Sequence, residues 1–194
     1  DVHNPAAFDN AFRIPADHFT ALPMFSRELT GGTTRELAVA SPDVGGIKRA
    51  QLLAESLTQQ TGSPVDVVFV EKRRARGVVS GGQVAGHVAG KSVIIIDDLC
   101  ATGGTLIRAA QALRAAGAVA ITTAFTHAPV VAGLRAVLNC SDIDRVLPTD
   151  SVGDIAAELS PGSAHKLTLL AVAPLFADAL RRIEGGEPVT PLFT

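Results

Sequence analysis

The chain has 194 residues, 47% of them hydrophobic, and a net charge of −2. That is enough chain for one well-packed α/β domain and too little for two. The near-neutral charge gives no whole-surface attraction to nucleic acid or to an anionic membrane, so any bound anion must be held locally. No apolar run is long enough to span a bilayer and no signal-peptide pattern opens the chain. Trp and Tyr, the usual anchors of nucleic-acid and protein-binding surfaces, are absent. Two cysteines, Cys100 and Cys140, read as reduced thiols of a cytoplasmic protein, with Cys100 as a small packing residue.

The chain opens on Asp1-Val2-His3 rather than Met, so a preceding segment is expected. Short apolar runs then alternate with helical patterns, as in parallel βαβ units. The runs predict strands over 36–41, 65–71, 92–96, 120–126, 144–147 and 166–172, and their continuous Val, Ile and Leu content fits a sheet covered on both faces. Helices are predicted over 45–60, 104–116, 131–138 and 174–184. In the second of these Leu106, Ala109, Ala110 and Leu113 share one face at helical spacing. Pro174 suits a first helical turn, and Gly185-Gly186 stops the last helix. Residues 73–90 begin basic and continue rich in Gly and Val with no steady period, which predicts a long surface loop of functional character. The fold class is therefore α/β, a mostly parallel sheet flanked by helices.

The densest chemistry lies in Val93-Ile94-Ile95-Ile96-Asp97-Asp98-Leu99-Cys100-Ala101-Thr102-Gly103-Gly104-Thr105. An apolar strand delivers two adjacent acids at its carboxyl end, where open α/β sheets bind ligands. A Gly-rich turn then opens a helix whose free N–H groups and positive dipole end suit a phosphate. Thr102 and Thr105 add hydroxyl donors. Two acids would repel a lone phosphate; they make sense if Asp97 and Asp98 bind sugar hydroxyls and a divalent cation while Ala101, Thr102, Gly103, Gly104 and Thr105 hold a sugar phosphate.

This string resembles the diphosphate-sugar signature of type I phosphoribosyltransferases. Ser41-Pro42-Asp43-Val44-Gly45-Gly46-Ile47-Lys48-Arg49-Ala50, Glu71-Lys72-Arg73-Arg74, Ile14-Pro15-Ala16-Asp17 with Ala21-Leu22-Pro23, and the tail from Arg181 to Phe193 narrow the resemblance to the ribose-phosphate diphosphokinase family, almost end to end. The resemblance implies transfer of the β,γ-diphosphoryl group of ATP to the C1 hydroxyl of ribose 5-phosphate with Mg2+. It implies a homo-oligomer, with residues 1–20 as a junction from an N-terminal half and 21–194 as the phosphoribosyltransferase-like domain. Lys72 and Arg74 match the start of a mobile catalytic loop, where preorganised cations would stabilise the transferred charge. Asp43 matches an acid near substrate and metal, and can also cap a helix. Asp1, His3 and Asp17 match metal-associated positions. His127 fits a cleft position or a structural one equally, and His18, His87 and His165 read as surface residues.

The match departs from the family at three places. Ala101 stands where the synthetases usually carry Asp, which makes Ala-Thr-Gly-Gly-Thr similar to purine phosphoribosyltransferases. Residues 4–13 diverge, and Arg13 replaces an acid. Two other readings stay open on that account: a stand-alone phosphoribosyltransferase that consumes the 1-diphosphate, and a non-catalytic homologue.

Overall fold

The computed structural model describes residues 1–31, 36–75, 78–153 and 165–193, with the backbone alone for 72–75 and 78–82. Six strands form one sheet: β1 (Leu37–Ser41), β2 (Asp66–Ala75), β3 (Val78–Ala85), β4 (Ser92–Leu99), β5 (Ala120–His127) and β6 (Arg145–Pro148), in the order β3-β2-β1-β4-β5-β6. All neighbours pair in parallel except β2 and β3, which are antiparallel. The order runs outward from the centre in both directions. The chain leaves β1 toward β2 on one side, and leaves β4 toward β5 on the other. The crevice between the carboxyl ends of β1 and β4 is thus the topological switch point of the sheet.

Alternation along β4 shows why the sequence folds this way. Val93 and Ile95 point into one apolar layer, shared with Leu106 and Leu113 of α4 (Gly104–Ala115) and Leu134 of α5 (Val131–Leu138). Ile94 and Ile96 point into the other, shared with Phe25 of α2 (Leu22–Leu29) and with Leu53 and Leu57 of α3 (Ile47–Thr61). A strand buried on both faces needs no polar residue until it reaches the ligand edge. The first acid of β4 stands there.

The predicted helices match the observed elements within two residues, including the buried face of α4 at Leu106, Ala109, Ala110 and Leu113. The last, α6 (Ala173–Glu184), carries Pro174 in its first turn and buries only Ala179. Two short helices were not expected: α1 (Pro5–Ala11), capped by the Asn4 side chain, and α2, which buries Phe25 and Leu29.

Two expectations are corrected. Residues 73–90 are not one long loop, because β2 runs on to Ala75 and β3 returns antiparallel beside it, with an irregular register between Lys72 and Arg74. β3 ends the sheet order, and its Ser80-Gly81-Gly82-Gln83 stretch offers no apolar run by which a strand would be read from sequence. The expected strand over 166–172 makes only two isolated parallel bridges beside β6, Val146 with Leu167 and Thr149 with Leu170. Thr168 and Leu170 donate to the carbonyls of Val146 and Pro148. Pro148 has no N–H with which to return the bond to Thr168, so the ladder breaks there. Among the described residues no helix is long and apolar enough to cross a membrane.

Leu113 is fully buried between α4 and the sheet. Replacing it with Ala should lower the unfolding free energy by about 2–5 kcal/mol in urea titrations. An unchanged midpoint would mean that α4 does not close this core.

Candidate functional site

The site forms where β1 and β4 end. After β1, Ser41 Oγ donates to the Asp43 carbonyl, and the Asp43 carboxylate accepts from the Gly45 N–H at 3.0 Å, capping a short 3-10 turn (Val44–Gly46) that leads into α3. A Cβ at Gly46 would stand 2.6 Å from Ser41 Oγ, so a larger residue there would displace the hydroxyl that donates to the Asp43 carbonyl. After β4, Cys100 N–H donates to the His127 carbonyl of β5 at 2.8 Å, and the chain turns through Ala101, Thr102 and Gly103 into α4. Gly103 takes φ 75°, the left-handed region that glycine alone enters without strain. Between these two turns lies a cleft of about 510 Å³. It is lined by Asp43, Asp97, Asp98, Ala101, Thr102, Gly103 and Thr105, together with His3, Gly45, Gly46 and Arg49. Of the residues singled out for substrate, Gly104 alone does not line it, although its neighbours Gly103 and Thr105 do.

The acid pair carries the electrostatics of this cleft. Asp98 is almost fully buried and meets Arg49 Nη2 at 2.9 Å through Oδ2. The same oxygen lies 2.9 Å from His3 Nδ1, which donates to the carboxylate. Asp97 sits 3.6 Å from Arg49 Nη1 and accepts the Asp98 backbone N–H at 2.9 Å. Burial pushes the Asp97 carboxyl up to about 6, and the neighbouring Asp98 charge pushes the same way. Burial also acts upward on Asp98, but the Arg49 guanidinium and the His3 hydrogen bond outweigh it and hold that carboxyl below the usual aspartate range. One member of the pair is thus held ionised, and the other exchanges its proton near neutral pH.

Asp1, His3 and Asp17 do not converge, and among the described residues no group of three His, Cys, Asp or Glu side chains is arranged around a common point. The Asp1 carboxylate is engaged by the protein, accepting from the Thr20 hydroxyl (3.0 Å), the Ala21 N–H (2.9 Å) and the Thr126 hydroxyl (2.5 Å). His3 reaches the acid pair instead. Asp17 is exposed and lines a second cavity of about 620 Å³, which adjoins the first through His3, Gly45 and Arg49 and also contains Lys48, Leu52 and Phe193. The side chains of Lys72 and Arg74 lie outside the described residues; their backbone belongs to β2. His127 is structural in its contacts, with Nε2 2.7 Å from the Asp1 carbonyl and Nδ1 2.8 Å from Ser151 Oγ. His18, His87 and His165 are exposed.

Sequence reasoning missed Arg49. A signal was available, because Arg49 falls in the first turn of α3, where the helix dipole disfavours a cation. A cation placed there points to an acid partner, and the neighbouring strand end supplies two. Cys100 is buried, and burial, with the neighbouring Asp97 charge, pushes its thiol up to about 12.

Comparison with known proteins identifies the family to which this fold and sequence belong. The phosphoribosyl transferase domain model matches residues 25–141. The ribose-phosphate pyrophosphokinase of Granulibacter bethesdensis is 38% identical over 184 residues, covering 94% of this chain and 56% of the relative. That of Ralstonia nicotianae is 36% identical over 185 residues, covering 94% and 55%. The crystal structure of phosphoribosylpyrophosphate synthetase from Mycobacterium smegmatis superposes with a TM-score of 0.78 at 29% identity, over 96% of this chain and 57% of that one. The chain therefore spans little more than half the length of these relatives.

The acid pair is testable by carboxyl NMR. One aspartate should titrate near pH 6, and Arg49→Met should move the pair's titration upward. Because the Asp97 value is raised, its contribution to stability is complete below the ordinary aspartate range and lost as pH rises through about 6. Two ordinary aspartate titrations in the wild type would contradict this electrostatic picture.

Proposed function

The chain belongs to the phosphoribosyl transferase domain family, and from that premise we propose that its cleft binds ribose 5-phosphate for conversion to the 1-diphosphate, with ATP as diphosphoryl donor. The observation that carries the reading is the pairing of a buried acid pair with a Gly-rich helix start across one cleft at the sheet's switch point. In this reading the Thr102–Thr105 turn holds the 5-phosphate through backbone N–H groups, hydroxyls and the α4 dipole. Asp97 and Asp98 accept the ribose hydroxyls, and Asp43 lies at the opposite wall of the cleft. The C1 oxygen attacks the β-phosphorus of ATP, the bond from that phosphorus to the oxygen bridging it to the α-phosphorus breaks, and AMP leaves. Lys72 and Arg74, on β2 beside β1, are assigned to the charge of the transferred group.

The donor set fits a hard divalent cation such as Mg2+. The cleft offers carboxylate and hydroxyl oxygens without a closed cage, and Mg2+ is commonly held by one or two carboxylates together with substrate phosphates. Asp97, Asp98 and Asp43 would share its coordination, and its chemistry there is to neutralise phosphate charge. His3 and Asp17 line the adjoining cavity, which is where this reading puts the nucleotide. Asp1 then contributes through its anchoring bonds, holding the segment that carries His3. A cytoplasmic homo-oligomer with residues 1–20 as a junction completes the proposal.

Ala101 favours a second reading, a transferase that consumes the 1-diphosphate with a nitrogenous base. Calorimetry separates binding from reaction. Asp98→Asn should weaken ribose 5-phosphate binding roughly 10- to 100-fold, the range for hydrogen bonds to a charged group; equal affinity would remove the assignment. In the native gene product, Mg2+-dependent AMP release from ATP should require ribose 5-phosphate. Lys72→Ala should lower its turnover far more than ribose 5-phosphate binding. Base-dependent diphosphate release without AMP release would establish the second reading instead.

A further inference from the structure

The phosphate turn makes a close contact with a helix that contributes nothing to the cleft lining. A Cβ built on Gly133, in the first turn of α5, would stand 2.1 Å from the Ala101 carbonyl oxygen, 2.8 Å from the Ala101 carbonyl carbon and 3.0 Å from that of Thr102. The fit is reciprocal: a Cβ on Gly103 would stand 2.7 Å from the Gly133 carbonyl oxygen and 2.8 Å from Val137 Cγ2. Gly133 is buried, and every atom it would meet at under 3.0 Å is backbone, so no side-chain rotation can relieve the overlap. The start of the turn is also tied to β5 by the bond from Cys100 N–H to the His127 carbonyl. The turn is therefore held by both β5 and α5. Its distance from α5 is set by the missing side chain at Gly133.

We propose that Gly133 is a positioning residue for sugar-phosphate binding: the bare face of α5 sets where the Ala101–Gly103 backbone stands, and hence where its N–H groups meet the phosphate. The inference rests on the proposed function for the identity of the ligand, and on geometry alone for the role of Gly133. A methyl at position 133 would force the Ala101 carbonyl outward by about 1 Å to recover an ordinary carbon–oxygen contact. A displacement of that size in a positioning element can cost roughly 10- to 100-fold. Val137 gives the turn its second wall, and Leu138, the next residue of the same helix, is equally buried in the core but is not among the atoms nearest to the turn.

The test compares Gly133→Ala with Leu138→Ala. Both variants should lose thermal stability. Gly133→Ala alone should shift the amide resonances of residues 101–104, and alone should weaken ribose 5-phosphate binding roughly 10- to 100-fold. Equal resonances and equal affinity in a folded Gly133→Ala, or the same losses in Leu138→Ala, would overturn the role. If Gly133→Ala does not fold, hydrogen exchange of the wild type decides. Ribose 5-phosphate at saturation should slow exchange of the α5 amides at 133–138, because a contact that places the turn must in turn be stabilised by what the turn binds; unchanged exchange there would overturn it. Should the wild type not bind ribose 5-phosphate, the proposed function falls, while the resonance comparison still decides what Gly133 does.

Discussion

Three charged side chains that each stand in an unfavourable place fix this site. Asp97 and Asp98 are adjacent acids at the end of a buried strand, and Arg49 is a cation in the first turn of a helix. Burial disfavours both carboxylates, and the dipole of α3 disfavours the guanidinium. Together they offset one another: the fork of Arg49 reaches one oxygen of each acid, at 3.6 and 2.9 Å. The partnership requires β1 and β4 to be neighbours, since α3 follows β1 and the acids end β4. The ion triad and the switch point of the sheet thus depend on one another. A register slip between β1 and β4 would leave buried charges without partners, a mechanism that destabilises strongly.

Around the triad, contributions converge from distant parts of the chain. His3 completes the coordination of Asp98, and it is held there by the Asp1 carboxylate and carbonyl, which bind to Thr20, Ala21, Thr126 and His127. Asp1 is thus hydrogen-bonded both to the carboxyl end of β5 and to the segment that leads into α2. Polar groups at that edge serve the site indirectly, through position rather than through contact with a ligand.

How much of this was legible in the sequence follows from periodicity. The α4 face was readable because Leu106, Ala109, Ala110 and Leu113 repeat at helical spacing, and β4 because an unbroken Val-Ile-Ile-Ile run leads to the acids. The edge strand β3 was not, because its Ser80-Gly81-Gly82-Gln83 stretch of small and polar residues carries no two-faced apolar signal. The segment beside β6 was misjudged because its strand-like composition says nothing about the missing N–H of Pro148 across the gap. The acids and the Gly-rich turn announced themselves as a contiguous string. Arg49 and Gly133 did not, since each acts on a segment remote from it in the chain, and only the folded sheet brings them together.

The two thiols of the chain have unequal fates under electrophilic attack. With its value pushed up to about 12, Cys100 carries a thiolate fraction on the order of one in 10⁵ at neutral pH. It lies next to the Gly-rich turn, yet alkylating reagents and peroxides have almost no nucleophile to meet there. Cys140 is partly exposed just past the end of α5. A maleimide-borne fluorophore or spin label would therefore select Cys140 in the unmodified chain. The probe would sit just past the end of α5, at a residue that does not line the cleft.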